Sequence, residues 1–211
     1  KKEMHHPVKH IIVRNNKATL EHIDSYDSSI PTGIQLLVSN PIILRKTLEL
    51  MNTGIKKKDS RFSNLNVVDF NFGCPSPMVI KAGGGPATFR RTERMKELLT
   101  ILKKVSSLPC GIKIRLGLNK YDKEHKVYLR VLEIVNSIGL DYITVHSKVA
   151  SDSSKDPIDL NALQEIIDNA TVPVVGNGFV VDGKSAKELL DLGCSAVMIA
   201  RASIGNPWIF E

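Results

Sequence analysis

No stretch of this chain approaches the roughly 20 consecutive apolar residues that a membrane-spanning helix needs. Its amino terminus carries no apolar leader, so nothing there directs export. Cysteine is scarce: Cys74, Cys110 and Cys194 lie far apart, with no pair at metal-ligand spacing. An odd, scattered count excludes a disulfide framework and suits a reducing cytoplasm. His5, His6 and His10 stand in a basic opening with Lys1, Lys2 and Lys9. No carboxylate or cysteine completes a ligand set with them, so they read as solvated and no metal is expected. No glycine-rich dinucleotide fingerprint follows a strand anywhere. Acidic residues are outnumbered 22 to 29 by lysine and arginine, a net charge of +7. Such a surface attracts polyanions, RNA among them, without choosing a sequence.

What remains is an ordinary α/β pattern. The 211 residues are enough for one domain with a sizeable core. The first 33 form a segment of uncertain structure, with a possible short helix at 18–23 and a turn at 31–33. From residue 34 the hydrophobic period switches back and forth between two and 3.6. Strands are expected at 34–38, 66–70, 109–114, 142–146, 172–176 and 196–199. Helices are expected from Asn40–Pro41, from Thr92 as cap, over about 123–138, after Asp159 as cap, and over 185–192. Residues 207–210 read as the start of another helix. Crossovers of this length make parallel βα units. Eight such units close a TIM (β/α)₈ barrel, and about six strands are visible here, so residues 34–211 read as an incomplete barrel of that type.

Apart from Gln35, which lies within the first strand, the polar residues worth singling out follow strands. A buried run at 67–72 breaks at Gly73, and Pro75 prevents any ladder from continuing. Cys74 is thereby placed on a turn at the strand's carboxyl end, with Asn71 before it and three glycines, 83–85, nine residues on. Gln35, Lys113, Arg115, His146, Asn177, Gly178 and Arg201 fall on the same rim, where barrel enzymes build their sites. Each has a plain structural reading as well. Cys74 can be a small hydrophobe, Gln35 can satisfy buried backbone, Lys113 can snorkel, and His146 can be a bonded core histidine. Arg201 can simply pair with a carboxylate. One rim shared by all of them favours a common ligand.

The motifs I-Q-L (34–36), N-F-G-C-P-S (71–76), G-G-G-P-A (83–87), K-I-R-L-G (113–117), T-V-H-S-K (144–148), G-N-G-F (176–179) and M-I-A-R-A-S-I-G-N-P-W (198–208) resemble, in order and spacing, those of the dihydrouridine synthases. That resemblance implies a flavin-binding barrel that uses FMN, with NADPH or NADH as reductant, to reduce the uracil C5–C6 bond of uridines in tRNA. Hydride reaches C6 from N5 of FMN, and Cys74 supplies the proton at C5 as general acid. Gln35 and Lys113 are implied to contact the flavin ring, and His146, Asn177, Gly178, Ala200 and Arg201 its phosphate and ring edge. Asn71, Arg115 and Lys148 are implied on the substrate side. The chain departs from the family at Phe179, where aspartate is usual, and at Ala200, where glycine is usual. It departs again at Ser147–Lys148, where Gly–Arg is usual, and at Pro86. A first barrel strand and the helical tRNA-holding domain are expected to be missing. Two other readings stay open: a dihydroorotate- or dihydropyrimidine-type flavin oxidoreductase, and a degenerate RNA-associated barrel without catalysis.

Overall fold

The computed structural model describes residues 8–12, 32–59, 62 and 64–210, the first group as backbone only. Its elements alternate strand and helix: β1 (Val8–Ile12), β2 (Thr32–Leu37), α1 (Pro41–Lys56), β3 (Leu65–Asn71), α2 (Pro77–Lys81), α3 (Thr92–Val105), β4 (Cys110–Arg115), α4 (Lys120–Glu124), α5 (Val127–Ile138), β5 (Tyr142–His146), α6 (Leu160–Asn169), β6 (Val174–Asn177), α7 (Gly183–Asp191) and β7 (Ala196–Met198). Short 3₁₀ turns run over Gly85–Arg90, Arg201–Ser203 and Pro207–Phe210. The strands form one parallel sheet in chain order, β1 through β7. All six strands expected from residue 34 onward are present. A seventh, β1, lies inside the segment of uncertain structure, where a basic, histidine-bearing stretch shows no clear alternation.

The two faces of the sheet differ because side chains alternate along each strand. One register row runs Leu36, Phe70, Ile112, Ile143, Val174, and all five are buried. They share one core with Leu44, Leu48 and Met51 of α1, Met95, Leu98, Leu99 and Leu102 of α3, Val131, Leu132 and Val135 of α5, and Leu163 and Ile166 of α6. Each such side chain removed from water contributes about 1.5–3 kcal/mol before the entropy of ordering is subtracted. This apolar face anchors the sheet to its helices and leaves the other face for polar residues.

Several helix starts follow local chemistry. The Asn40 side chain accepts from the N–H groups of Ile42 and Ile43, ahead of Pro41. Asp159 caps α6 through the Ala162 N–H, and Asp182 with Ser185 forms a capping box on α7. Thr92 is not a cap: it is the first helical residue of α3, and Arg91 precedes it without a side-chain bond. The expected helix over 123–138 is two helices. Lys126 turns left-handed at φ 49° between them, pairs with Glu165, and leaves Tyr128 to donate to the same carboxylate at 2.6 Å. Gly33 belongs to β2 rather than to a turn. The possible helix at 18–23, together with His5 and His6, lies outside the described residues, and His10 is described as backbone alone.

Candidate active site

The polar face of the sheet is organised in three rungs set by strand register. The lowest runs Gln35, Asp69, Gly111, Tyr142 across β2 to β5. The middle one runs Asn71, Lys113, Thr144, Val175. The top rung, at the carboxyl ends, runs Arg115, His146, Asn177, Met198.

The lowest rung depends on the missing side chain of Gly111. A Cβ there would come within 2.5 Å of the Tyr142 ring, so the ring can lie over β4. Its hydroxyl donates to Asp69 Oδ1 at 3.2 Å, and Gln35 Nε2 donates to Asp69 Oδ2. Asp69 is 4% exposed. Burial pushes its carboxyl up to about 6, although the bonds from Gln35 and Tyr142 and the charge of Lys113 pull the other way. Burial likewise drives Lys113 down to about 8, helped by the charge of Arg115 and opposed by Asp69. Asp69 and Tyr142 escaped the sequence reading. The signal was there: a carboxylate inside the otherwise apolar run 67–72, which burial makes expensive unless it is bonded.

The turn that carries Cys74 grows out of the middle rung. Asn71 Nδ2 donates to Gln35 Oε1 at 2.8 Å, and Asn71 Oδ1 accepts the Gly73 N–H at 3.0 Å. Arg115 Nε donates to the Gly73 carbonyl at 3.1 Å, and its Nη1 to the Val149 carbonyl at 3.0 Å. Gly85, at φ 56°, folds the glycine segment back on this turn, and a Cβ there would meet the Cys74 carbonyl at 2.5 Å. Cys74 is half-buried, whereas Cys110 and Cys194 are buried in the core. The Cys110 thiol is pushed up to about 12, first by burial and then by Asp141.

The top rung is cationic. His146 is driven down to about 3 by burial and then by Arg115, Lys113, Lys148 and Arg201. Gly178, at φ 109°, lies against its ring, and a Cβ there would sit 2.6 Å from Cδ2. Burial pulls the Arg115 guanidinium below its ordinary value, and the charge of Asp152 pulls the other way. The Arg115 bond to the Gly73 carbonyl, one residue before Cys74, ties the cysteine turn to this rim. Lys148 is buried, with its ammonium on the Ser153 and Ser154 carbonyls at 3.1 and 3.4 Å. Arg201 reaches the Ser154 carbonyl at 3.4 Å. The Asn177 amide clamps β6 to β7 through the Met198 carbonyl at 2.9 Å. Ala200 leads into the 3₁₀ turn at Arg201. Phe179 stands 59% exposed in a left-handed conformation, φ 60°, beside a 260 Å³ cleft lined by Pro157, Ile158 and Leu160. A larger groove of 520 Å³, lined by Lys126, Tyr128 and Glu165, lies between α4, α5 and α6. Among the described residues there is no group of three or more His, Cys, Asp or Glu able to hold a metal. None of the described helices is long and apolar enough to cross a membrane.

The profile of the dihydrouridine synthases matches residues 6–211. The chain belongs to this family. It is 28% identical to tRNA-dihydrouridine synthase B of Proteus vulgaris over 199 residues, 94% of this chain and 58% of that protein. With the Escherichia coli synthase B it shares 28% over 150 residues, 71% of this chain and 46% of that one. With the human tRNA-dihydrouridine(47) synthase-like protein it shares 28% over 181 residues, 84% of this chain and 26% of that one. The chain therefore spans about half the length of the bacterial relatives. Among solved structures it superposes on DHODH of Eimeria tenella in complex with ferulenol at TM-score 0.59 and 12% identity, covering 92% of this chain and 61% of that one. A mandelate oxidase follows at 0.57 and 15%, covering 93% and 56%. At such identities the likeness establishes the TIM-type fold shared by these proteins. The hydroxyl of Ser147, where glycine is usual, is buried without a hydrogen-bond partner among the described residues, a burden of about 1–3 kcal/mol that glycine avoids.

Proposed function

We propose that the protein carrying this chain is a tRNA-dihydrouridine synthase that binds FMN and draws electrons from NADPH or NADH. The observation that supports it most is the placement of a half-buried cysteine turn and a cationic cluster on one rim of the same sheet. All four charges bearing on His146 are positive, an arrangement that self-repulsion disfavours unless an anion is held there. A phosphate monoester fits that demand. His146, Gly178, Ala200 and Arg201 would hold it, with Asn177 fixing the strand ends beneath. Gln35 and Lys113 would lie along the ring, where the lysine ammonium favours negative charge on the ring edge.

Bound FMN would supply the hydride for the uracil. The chain's own task is then to hold the pyrimidine and deliver a proton. The Cys74 thiol gives its proton to C5 as negative charge develops there. Asn71 spends one N–H on Gln35 and one acceptor site on Gly73, which leaves a second N–H and a second lone pair for a uracil edge. Arg115 is committed to two carbonyls, so its part is to pin the turn and contribute charge. Lys148 pins the 153–154 loop and carries a charge but no bidentate fork. Net charge of +7 favours a polyanionic substrate over a free pyrimidine acid.

Dihydrouridine mapping of tRNA from cells lacking the gene is expected to show one or more positions reverting to uridine. An unchanged map, or turnover of free dihydroorotate by the purified protein, would overturn the assignment. Replacing Lys113 with alanine is expected to weaken FMN binding about tenfold or more, the size of a lost hydrogen bond to a charged group. Titration of FMN fluorescence measures it, and an unaltered affinity removes Lys113 from the ring's surroundings.

A further inference from the structure

Asp69, Gln35, Asn71 and Gly73 form an unbroken hydrogen-bond chain from the floor of the site to the turn that presents Cys74. Its direction is not arbitrary. An ionised carboxylate only accepts, so Asp69 requires the Gln35 amide to present its nitrogen. Gln35 then offers its oxygen to Asn71, which must turn its own nitrogen toward Gln35. That leaves the Asn71 oxygen facing the backbone N–H of Gly73, the residue before Cys74. Were Gln35 reversed, Asn71 would reverse with it and set an N–H against the Gly73 N–H, and the turn would lose its bond. Two symmetric-looking amides thus transmit one polarity choice across β2 and β3.

We propose that Asp69 is a positioning residue: through Gln35 and Asn71, its carboxylate sets the turn that carries Cys74. The surrounding structure supports the assignment. Tyr142 holds the second carboxylate oxygen from across Gly111, which fixes the plane of the group. Asp69 and Gln35 are almost fully buried, so water cannot stand in for either partner. The consequence for catalysis rests on reading Cys74 as the proton donor, but the positioning itself does not.

The test is the rate at which iodoacetamide alkylates Cys74 in the folded, full-length protein without flavin or RNA, located by peptide mass spectrometry. Cys110 and Cys194 are buried, and their protection shows in the same tube that each variant is folded. Asp69→Ala removes the acceptor and is expected to change the Cys74 rate by about fivefold or more, the equivalent of one net hydrogen bond. In Asp69→Asn the amide keeps its oxygen on Gln35 and turns its N–H to the Tyr142 hydroxyl, which rotates to accept. The reversed amide would reverse Gln35 and Asn71 and lose the Gly73 bond, so the parental polarity is the favoured one. This variant is expected to stay within about twofold of the parent. If Asp69→Ala exposes the buried thiols, Gln35→Met decides instead, because it keeps the carboxylate and cuts the chain one link further on. A Cys74 rate unchanged by the cutting variant overturns the proposal. So does Asp69→Asn behaving like Asp69→Ala, which would assign the effect to charge on Lys113. Loss of dihydrouridine formation in the Asp69 variants with normal Cys74 alkylation counts against the positioning alone, and a shifted Cys74 rate in Asp69→Ala alongside parental dihydrouridine yield in Cys74→Ala counts against the acid role alone.

Discussion

Cys74→Ala in the full-length protein is expected to cut dihydrouridine formation by about a hundredfold to ten-thousandfold, the range over which a positioned general acid acts. The size follows from what else could protonate C5. Around Cys74, Arg115 is tied up by two carbonyls and Asn71 by Gln35 and Gly73. Neither is an acid of suitable strength, and the Asp69 carboxyl is buried a rung below and bonded on both oxygens. FMN retention should be unaffected, since the turn is held by the Asn71 side chain, the Gly73 backbone and Gly85 rather than by the sulfur. Quantified dihydrouridine in tRNA incubated with the variant and reductant reads the first effect, and the flavin absorbance of the purified protein reads the second. Product at the parental rate would sink the acid role. Loss of both product and flavin would instead make Cys74 a structural residue of the turn.

The reach of the sequence reading follows the physics of each feature. Buried strands such as Leu65–Asn71 and Tyr142–His146 were readable because parallel strands under helices are almost continuously apolar. Arg115, His146 and Asn177 were readable because each ends such a run, whereas Gln35 and Lys113 stand inside their strands, on the lower rungs. What these residues do with their side chains was not readable, because hydrogen-bond partners come from neighbouring strands. Lys148 and Asn177 look like ligand-facing groups in sequence, yet they bond to the Ser153–Ser154 and Met198 carbonyls. Asp69 and Tyr142, 73 positions apart, meet only because Gly111 leaves room between them. The split between α4 and α5 was hidden for a similar reason. No glycine or proline marks the break within Lys123–Lys126, and the left-handed Lys126 is held by Glu165 on another helix.

The second large effect is a pH dependence. His146 titrates near 3 in the folded chain against an ordinary value of 6.5, because burial and four cations disfavour its charged form. Between those values the unfolded chain binds the proton that the folded one refuses, so folding stability falls as pH falls through that window. Stability lost this way is fully present above pH 6.5. His146→Asn abolishes the titration. Between pH 7 and 4.5 the parent is expected to lose about 2 kcal/mol more than the variant, read as the shift of urea midpoints at each pH. Asp69 acts in the opposite sense: with its carboxyl raised to about 6, it favours the folded state at low pH and loses that contribution as pH rises from 3.8 through 6. Both proteins retain Asp69, so its contribution cancels in the difference. The charges facing His146 come from β4 (Lys113 and Arg115), from Lys148 just past β5, and from Arg201 beyond β7. A phosphate among them offsets the repulsion and restores the imidazole's affinity for a proton. The acid-induced loss in the parent should therefore shrink when FMN is present and stay unchanged in His146→Asn. Equal slopes for the two proteins without ligand would mean that His146 is neither buried nor crowded by cations as described, and the anion site would lose its support.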